Sequence, residues 1–220
     1  MAYRRTGKVE ERLRARHAAL VAAARDIAAA EGLDAVQIAP VAKRAGVAAG
    51  TVYRYFDSKG ALVAELVADV SAREFAAMQN AAASAPGPLS ALASALVTFA
   101  ARALRQRRLI WSVVGEAVDT ELAPMQQEFR RALVDAFAER IAEAAANGGL
   151  GDADPALLAR AIVGALIEAL IGPLAIPLEA DSVGGRAAVQ GFALSALRAA
   201  GILDARARGL VVQAAWPEAD

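Results

Sequence analysis

The 220-residue chain contains no cysteine, which removes disulfide scaffolds, thiolate zinc sites, iron–sulfur clusters and cysteine nucleophiles together. A single histidine, His17, leaves no multi-histidine metal constellation, and any Ser-His-Asp triad would have to be built on it. Set among apolar helix positions, His17 reads as a packing residue. No cofactor and no metal are expected. Aromatics are scarce at 5%, and runs rich in Val, Ile, Thr and Tyr are lacking, so strands are not expected. No unbroken apolar stretch of about 20 residues is present. The nearest, 161–178, is interrupted by Glu168, Gly172-Pro173 and Pro177 and reads as a buried helix. The N-terminus is polar where a secretory signal would be apolar, so a cytoplasmic protein is the expectation, in keeping with the missing thiols.

What the chain has in abundance is alanine, the strongest helix former, within a composition that is 57% hydrophobic and 22% charged. An all-α protein follows. The formal net charge is zero, but its distribution is uneven. Residues 1–59 hold eleven basic side chains against six acidic ones, and the remaining residues hold thirteen against eighteen. A basic head on an acidic body is the layout of a polyanion-binding domain joined to something else.

Apolar periodicity places a first helix over about 9–31, with Leu13, Leu20 and Ile27 on one stripe and Gly32 as its stop. A short helix over 38–45 and a second over about 49–56, joined by Gly46-Val47, form a helix-turn-helix candidate. Asp57-Ser58 offers a cap for a long helix over about 59–83, which ends at the Pro- and Gly-rich segment 84–88. Further helices are expected over about 89–105, 109–118, 125–147, 155–171 and 185–200, while the tail 202–220 gives no clear signal. The expected organisation is a DNA-binding unit at 1–60, a linking helix from about 59, and a helical ligand-binding and dimerisation unit at 61–220.

In the second short helix, Val52 and Phe56 share one face, and Gly50, Thr51, Arg54 and Tyr55 share the other. A helix that reads DNA needs this division, with apolar anchors inward and small, hydroxyl and basic groups outward. Tyr53 on the flank and Lys59 at the start of the next helix are placed to meet phosphates. By pattern alone, a helical hairpin with solvated Arg and Tyr side chains fits as well.

The run Ala45-Gly-Val-Ala-Ala-Gly-Thr-Val-Tyr-Arg-Tyr-Phe-Asp-Ser-Lys59, followed by Leu62, resembles the signature of the tetracycline-repressor (TetR) family. Gly46, Gly50, Thr51, Tyr53, Phe56 and Lys59 fall at matching spacings, and the likeness spans roughly residues 9–70. The resemblance implies an all-helical homodimer whose N-terminal helices bind operator DNA and whose C-terminal domain binds a small effector. It assigns DNA contact to Gln37, Lys43, Arg44, Ala48, Ala49, Gly50, Thr51, Tyr53, Arg54, Tyr55 and Lys59. The chain departs from the pattern at Ala48 and Gln37, which replace the usual hydroxyl caps, and at Ala39, which offers a base only a methyl. Loss of such a cap costs about 1 kcal/mol. Direct readout then falls mainly to Thr51, Arg54 and Tyr55, beside a sizeable phosphate and shape component.

Residues 161–167 and 187–197 are apolar over most of their circumference, with Gly164, Ala165, Ala169, Gly191 and Ala196 permitting close approach. The resemblance makes these helices, about 155–171 and 185–200, a four-helix interface in a homodimer. Candidate effector contacts are Phe75, Met78, Phe99, Trp111, Glu116, Met125, Phe129 and Glu168, the two carboxylates Glu116 and Glu168 standing out because charge in an apolar run is costly unless paired. The reading is a repressor that binds a palindromic operator and is released by a small hydrophobic effector. A helical carrier or enzyme without DNA binding is the alternative, and it lacks an evident set of convergent acid and base groups.

Overall fold

Helix formers punctuated by glycine, proline and capping side chains give an all-α chain in the computed structural model, which describes residues 2–115, 122–147, 150–151 and 154–218, with side chains from residue 7 onward. Among the described residues there are ten α-helices and no strand. They are α1 (Ala2–Glu31), α2 (Ile38–Arg44), α3 (Ala49–Val52), α4 (Lys59–Ala83), α5 (Pro88–Arg105), α6 (Arg107–Val114), α7 (Ala123–Ala146), α8 (Pro155–Leu166), α9 (Val183–Ala199) and α10 (Asp204–Gln213). Local chemistry sets many of the boundaries. Ser58 Oγ accepts from Ala61 N–H at 3.1 Å and Asp154 Oδ1 from Ala156 N–H at 2.9 Å. Pro88 and Pro155 occupy first turns, where a missing N–H costs nothing.

The first core is built by α1 to α4. Leu20, Ala24 and Ile27 of α1 meet Val41 and Ala42 of α2, Val52 and Phe56 around α3, and Leu62 and Leu66 of α4, all buried in one continuous cluster. The second core surrounds α5, whose residues 95–104 are all buried and which packs against α4, α7, α9 and α10. A helix buried all round has no solvent side on which to place charge, and its one buried cation, Arg102, is paired. Arg102 Nε donates to Glu74 Oε2 at 2.9 Å and its NH2 donates to Glu74 Oε1 at 3.0 Å, with both side chains almost wholly withdrawn from solvent.

Three expectations change. The helix expected over about 49–56 is α-helical only to Val52, after which Arg54 and Tyr55 N–H groups bond three residues back, to Thr51 and Val52 carbonyls, in tighter turns. The helix expected over 155–171 widens at Ile167–Ile171 into a π turn that ends at Gly172. The tail that gave no signal holds α10, anchored by buried Ala207 and Val211.

Two neighbouring arginines on α6 close the ends of other helices. Arg107 donates to the carbonyls of Ile171, Gly172 and Ala175 beyond α8, at 3.2, 2.7 and 2.9 Å. Arg108 donates to the Glu31 carbonyl at the end of α1, at 3.0 Å. The helix's bare C-terminal carbonyls thus gain cationic partners where the dipole favours them. Downstream, Arg105 makes a fork with Asp181 and reaches the Pro217 and Glu218 carbonyls, while Trp216 Nε1 donates to Asp181 Oδ1 at 2.7 Å. The C-terminal segment is thereby strapped to the end of α5.

Candidate nucleic-acid interface and effector region

The end of α2 and the start of α3 are fixed by a reversal at Gly46. Val47 N–H bonds the Ala42 carbonyl at 2.9 Å and Gly46 N–H bonds the Lys43 carbonyl at 3.3 Å, a paired closure that requires the left-handed φ of 66° found at Gly46. Ala48 begins α3 with no side-chain cap, and Gln37 begins α2 without one, its amide instead donating to the Asp34 carbonyl at 2.9 Å. The reversal projects one face of residues 49–56 into the core, where Val52 and Phe56 are 0% and 4% exposed. The other face is bare, with Tyr53 56% exposed and Ala48, Ala49, Gly50 and Arg54 exposed as well. A Cβ added at Gly50 would meet nothing within 4 Å, so neither packing nor backbone conformation asks for glycine there.

A groove of about 600 Å3 runs beside this face, lined by Ala48, Thr51, Arg54 and Tyr55 from the predicted set. Its opposite wall comes from the exposed residues 7–16 of α1, through Val9, Arg12, Leu13 and Arg16. Arg12 and Arg16 were not singled out from sequence. They stand four residues apart on one helix face, and only the extension of α1 past the core brings them beside residues 48–55. Lys43 is exposed at the end of α2, Arg44 is drawn back to Asp26 of α1 at 3.4 Å, and Lys59 sits half-buried in the first turn of α4. The His17 ring lies 4.9 Å from Phe56 and 6.4 Å from Tyr55, so it buttresses this unit from behind.

The aromatic side chains proposed for an effector gather in the second core. Phe75 meets Phe129 edge-on at 5.6 Å, and Phe99, fully buried, meets Phe137 edge-on at 6.4 Å. Met78 is buried, whereas Trp111 and Met125 are partly open. Glu116 lies outside the described residues. Glu168 is exposed on the π turn, so within one chain the cost expected for a carboxylate in an apolar run does not arise. The carboxylate that is buried is Glu74. Likewise α8 and α9 are not buried on all sides: Ala161 and Ala165 of the first, Ala169 of the π turn that follows it, and Ala187 and Gly191 of the second are exposed.

Among the described residues no helix is long and apolar enough to cross a membrane, and no group of three or more His, Asp or Glu side chains is placed to hold a metal. Residues 20–66 match the model of bacterial regulatory proteins of the tetR family. No curated protein matches the chain by sequence. Solved structures share the fold. RolR in complex with resorcinol is 22% identical over 95% of this chain and 98% of that one, with a TM-score of 0.64. SmeT, the repressor of the Stenotrophomonas maltophilia multidrug efflux pump SmeDEF, is 22% identical over 92% and 96%, also at 0.64. The fatty acid degradation regulator FadR from Bacillus halodurans is 24% identical over 69% and 80%, at 0.59.

Proposed function

We propose that this chain, whose residues 20–66 match the tetR-family model, binds operator DNA as a homodimer and is released by a small hydrophobic effector. The observation that carries this reading is the two-faced segment 49–56, whose anchors are buried while Gly50, Tyr53 and Arg54 stand bare beside an arginine-walled groove. Thr51, Arg54 and Tyr55 are the base-reading candidates. Tyr53, Lys59, Arg12 and Arg16 are suited to phosphates, which draw affinity from cations and hydroxyls without reading sequence.

Homodimerisation is supported by the exposed faces of α8 and α9, where alanine and glycine leave nothing to keep a second helix pair at a distance. Exposed Leu157 in the first turn of α8 and Val183 at the start of α9 add apolar area that a second copy would cover. Two-fold symmetry would then set two copies of α3 into major grooves about 34 to 36 Å apart, or a multiple of that. For the effector, the edge-on aromatic pairs and the partly open Trp111 and Met125 favour a small apolar or aromatic compound. RolR, of the same fold, is described with resorcinol, a compound of that kind. An effector shifts the dimer from DNA only as far as its affinities for the two arrangements differ.

The test is binding of the purified protein to labelled upstream DNA fragments across a salt series, with Tyr53→Ala and Lys59→Ala beside the wild type. One fragment should be preferred, affinity should fall with salt, and loss of the Lys59 contact should reduce the log–log salt slope by about 1. Affinity that is absent at every salt concentration would overturn the reading and leave the helical carrier.

A further inference from the structure

A second cleft opens where α1, α4 and α5 meet, with a volume of about 230 Å3, sharing no lining residue with the groove beside α3 and having none of the paired aromatic rings in its lining. Four of its lining residues are arginines, from three helices, against a single carboxylate, Glu74. Two of the four are committed. Arg102 is matched by Glu74 at the floor, and Arg105 holds Asp181 and the C-terminal carbonyls. The other two, Arg25 of α1 and Arg73 of α4, share one carboxylate oxygen: both donate to Asp69 Oδ2, at 3.2 and 2.9 Å. Each spends one of its several N–H donors there. Two guanidiniums on one carboxylate leave a net positive charge, with donors turned to a recess and only a quarter of the Arg25 side chain exposed. Partial burial matters, because charge-assisted hydrogen bonds gain strength as water is excluded.

We infer that this cleft binds a small anion, bearing a carboxylate or a phosphate, between Arg25 and Arg73. The fork geometry of arginine fits both groups bidentately, which lysines would not. Val70 supplies an apolar wall and Gln106 a neutral polar one, so the ligand is an organic anion with a compact apolar portion. A bound anion competes with Asp69 for the charge of the same two guanidiniums. Because Arg25 belongs to α1 and Asp69 to α4, the ligand loosens a tie between the first helix of the DNA-binding head and the helix leading away from it. Binding of the anion stands independently of the regulatory reading; its effect on DNA rests on it.

The experiment is calorimetric titration of the full-length protein with phenyl phosphate and with benzoate at constant ionic strength, with phenol as the uncharged control. One or both anions should bind saturably, and the one that binds tells phosphate from carboxylate. Affinity should fall about tenfold or more in Arg73→Gln, the loss of one charge-assisted fork. It should rise in Asp69→Asn, which releases both guanidiniums, a gain that misfolding cannot imitate. Anion affinity unchanged in Arg25→Gln and Arg73→Gln, affinity equalled by phenol, or no saturable heat from either anion would each overturn the inference. Since no DNA is present, failure here is distinct from failure of the operator-binding test.

Discussion

Removing one member of the Glu74–Arg102 pair should be among the most damaging changes the chain can suffer. In Glu74→Ala the Arg102 guanidinium loses both carboxylate bonds while its side chain remains 7% exposed. Stripping a buried ion of its partner costs about 3 to 5 kcal/mol, against a total stability of about 5 to 15 kcal/mol for a typical domain. The double change Glu74→Leu with Arg102→Met removes both charges and refills the space with apolar atoms. It should be neutral, or more stable than wild type by about 1 to 4 kcal/mol, because two desolvation penalties vanish with the attraction. Urea unfolding followed by circular dichroism measures all variants, at one fixed protein concentration so that any association contributes equally. Single variants that lose less than about 1 kcal/mol would mean that the pair behaves as a solvated surface bridge. A double variant as unstable as the sum of the singles would mean that the two charges are uncoupled, and either result refutes the argument.

The Asp181 carboxyl pKa is lowered from the usual 3.8 to about 2, first by the hydrogen bond from Arg105 and then by that from Trp216. A depressed folded value means that this contribution is complete above pH about 4 and is lost as pH falls through about 2. Trp216 fluorescence in a Trp111→Phe background should report the tail detaching in that window, and constant emission across it would contradict the strap. Gly185→Ala places a Cβ about 2.7 Å from the Ala180 carbonyl oxygen, on backbone that cannot swing aside. It should cost about 1 to 3 kcal/mol as overpacking, read as a lower urea midpoint. Ser58→Ala removes the cap that accepts from Ala61 N–H and should cost about 1 kcal/mol in thermal or urea unfolding, whereas Ser58→Asp should restore most of it.

The long elements were legible because their signals are local. α4 falls on the expected span, set by Ser58 at one end and the Pro- and Gly-rich turn at the other. Val52 and Phe56 turn inward as their spacing demands, although the helix that carries them closes four residues early into turns. α10 escaped notice because its buried pair, Ala207 and Val211, is small and sits among charges, so the apolar stripe is faint. The misplaced carboxylate is more instructive. Glu168 drew attention for its apolar sequence neighbours, but a helix in a single chain has two sides, and Glu168 occupies the open one. Glu74 lies between Arg73 and Phe75 in a stretch with no such contrast. Its burial depends on Arg102, 28 residues away on another helix. The arginine cleft was hidden for the same reason, since Arg25, Arg73 and Arg105 become neighbours only when three helices cross.

Arg107 and Arg108 stand side by side on α6, one closing the end of α8 and the other the end of α1. Hydrogen bonds weaken steeply as distance and angle depart from their narrow optimum, and a carbonyl left bare away from water costs about 1 to 3 kcal/mol. A shift of α6 must therefore be followed by both helix ends or leave one of them open. The adjacent pair works as a length standard, one peptide unit wide, that keeps the exit of the first helix and the last turn of the eighth in fixed register. Whatever sets the position of one end also sets the position of the other.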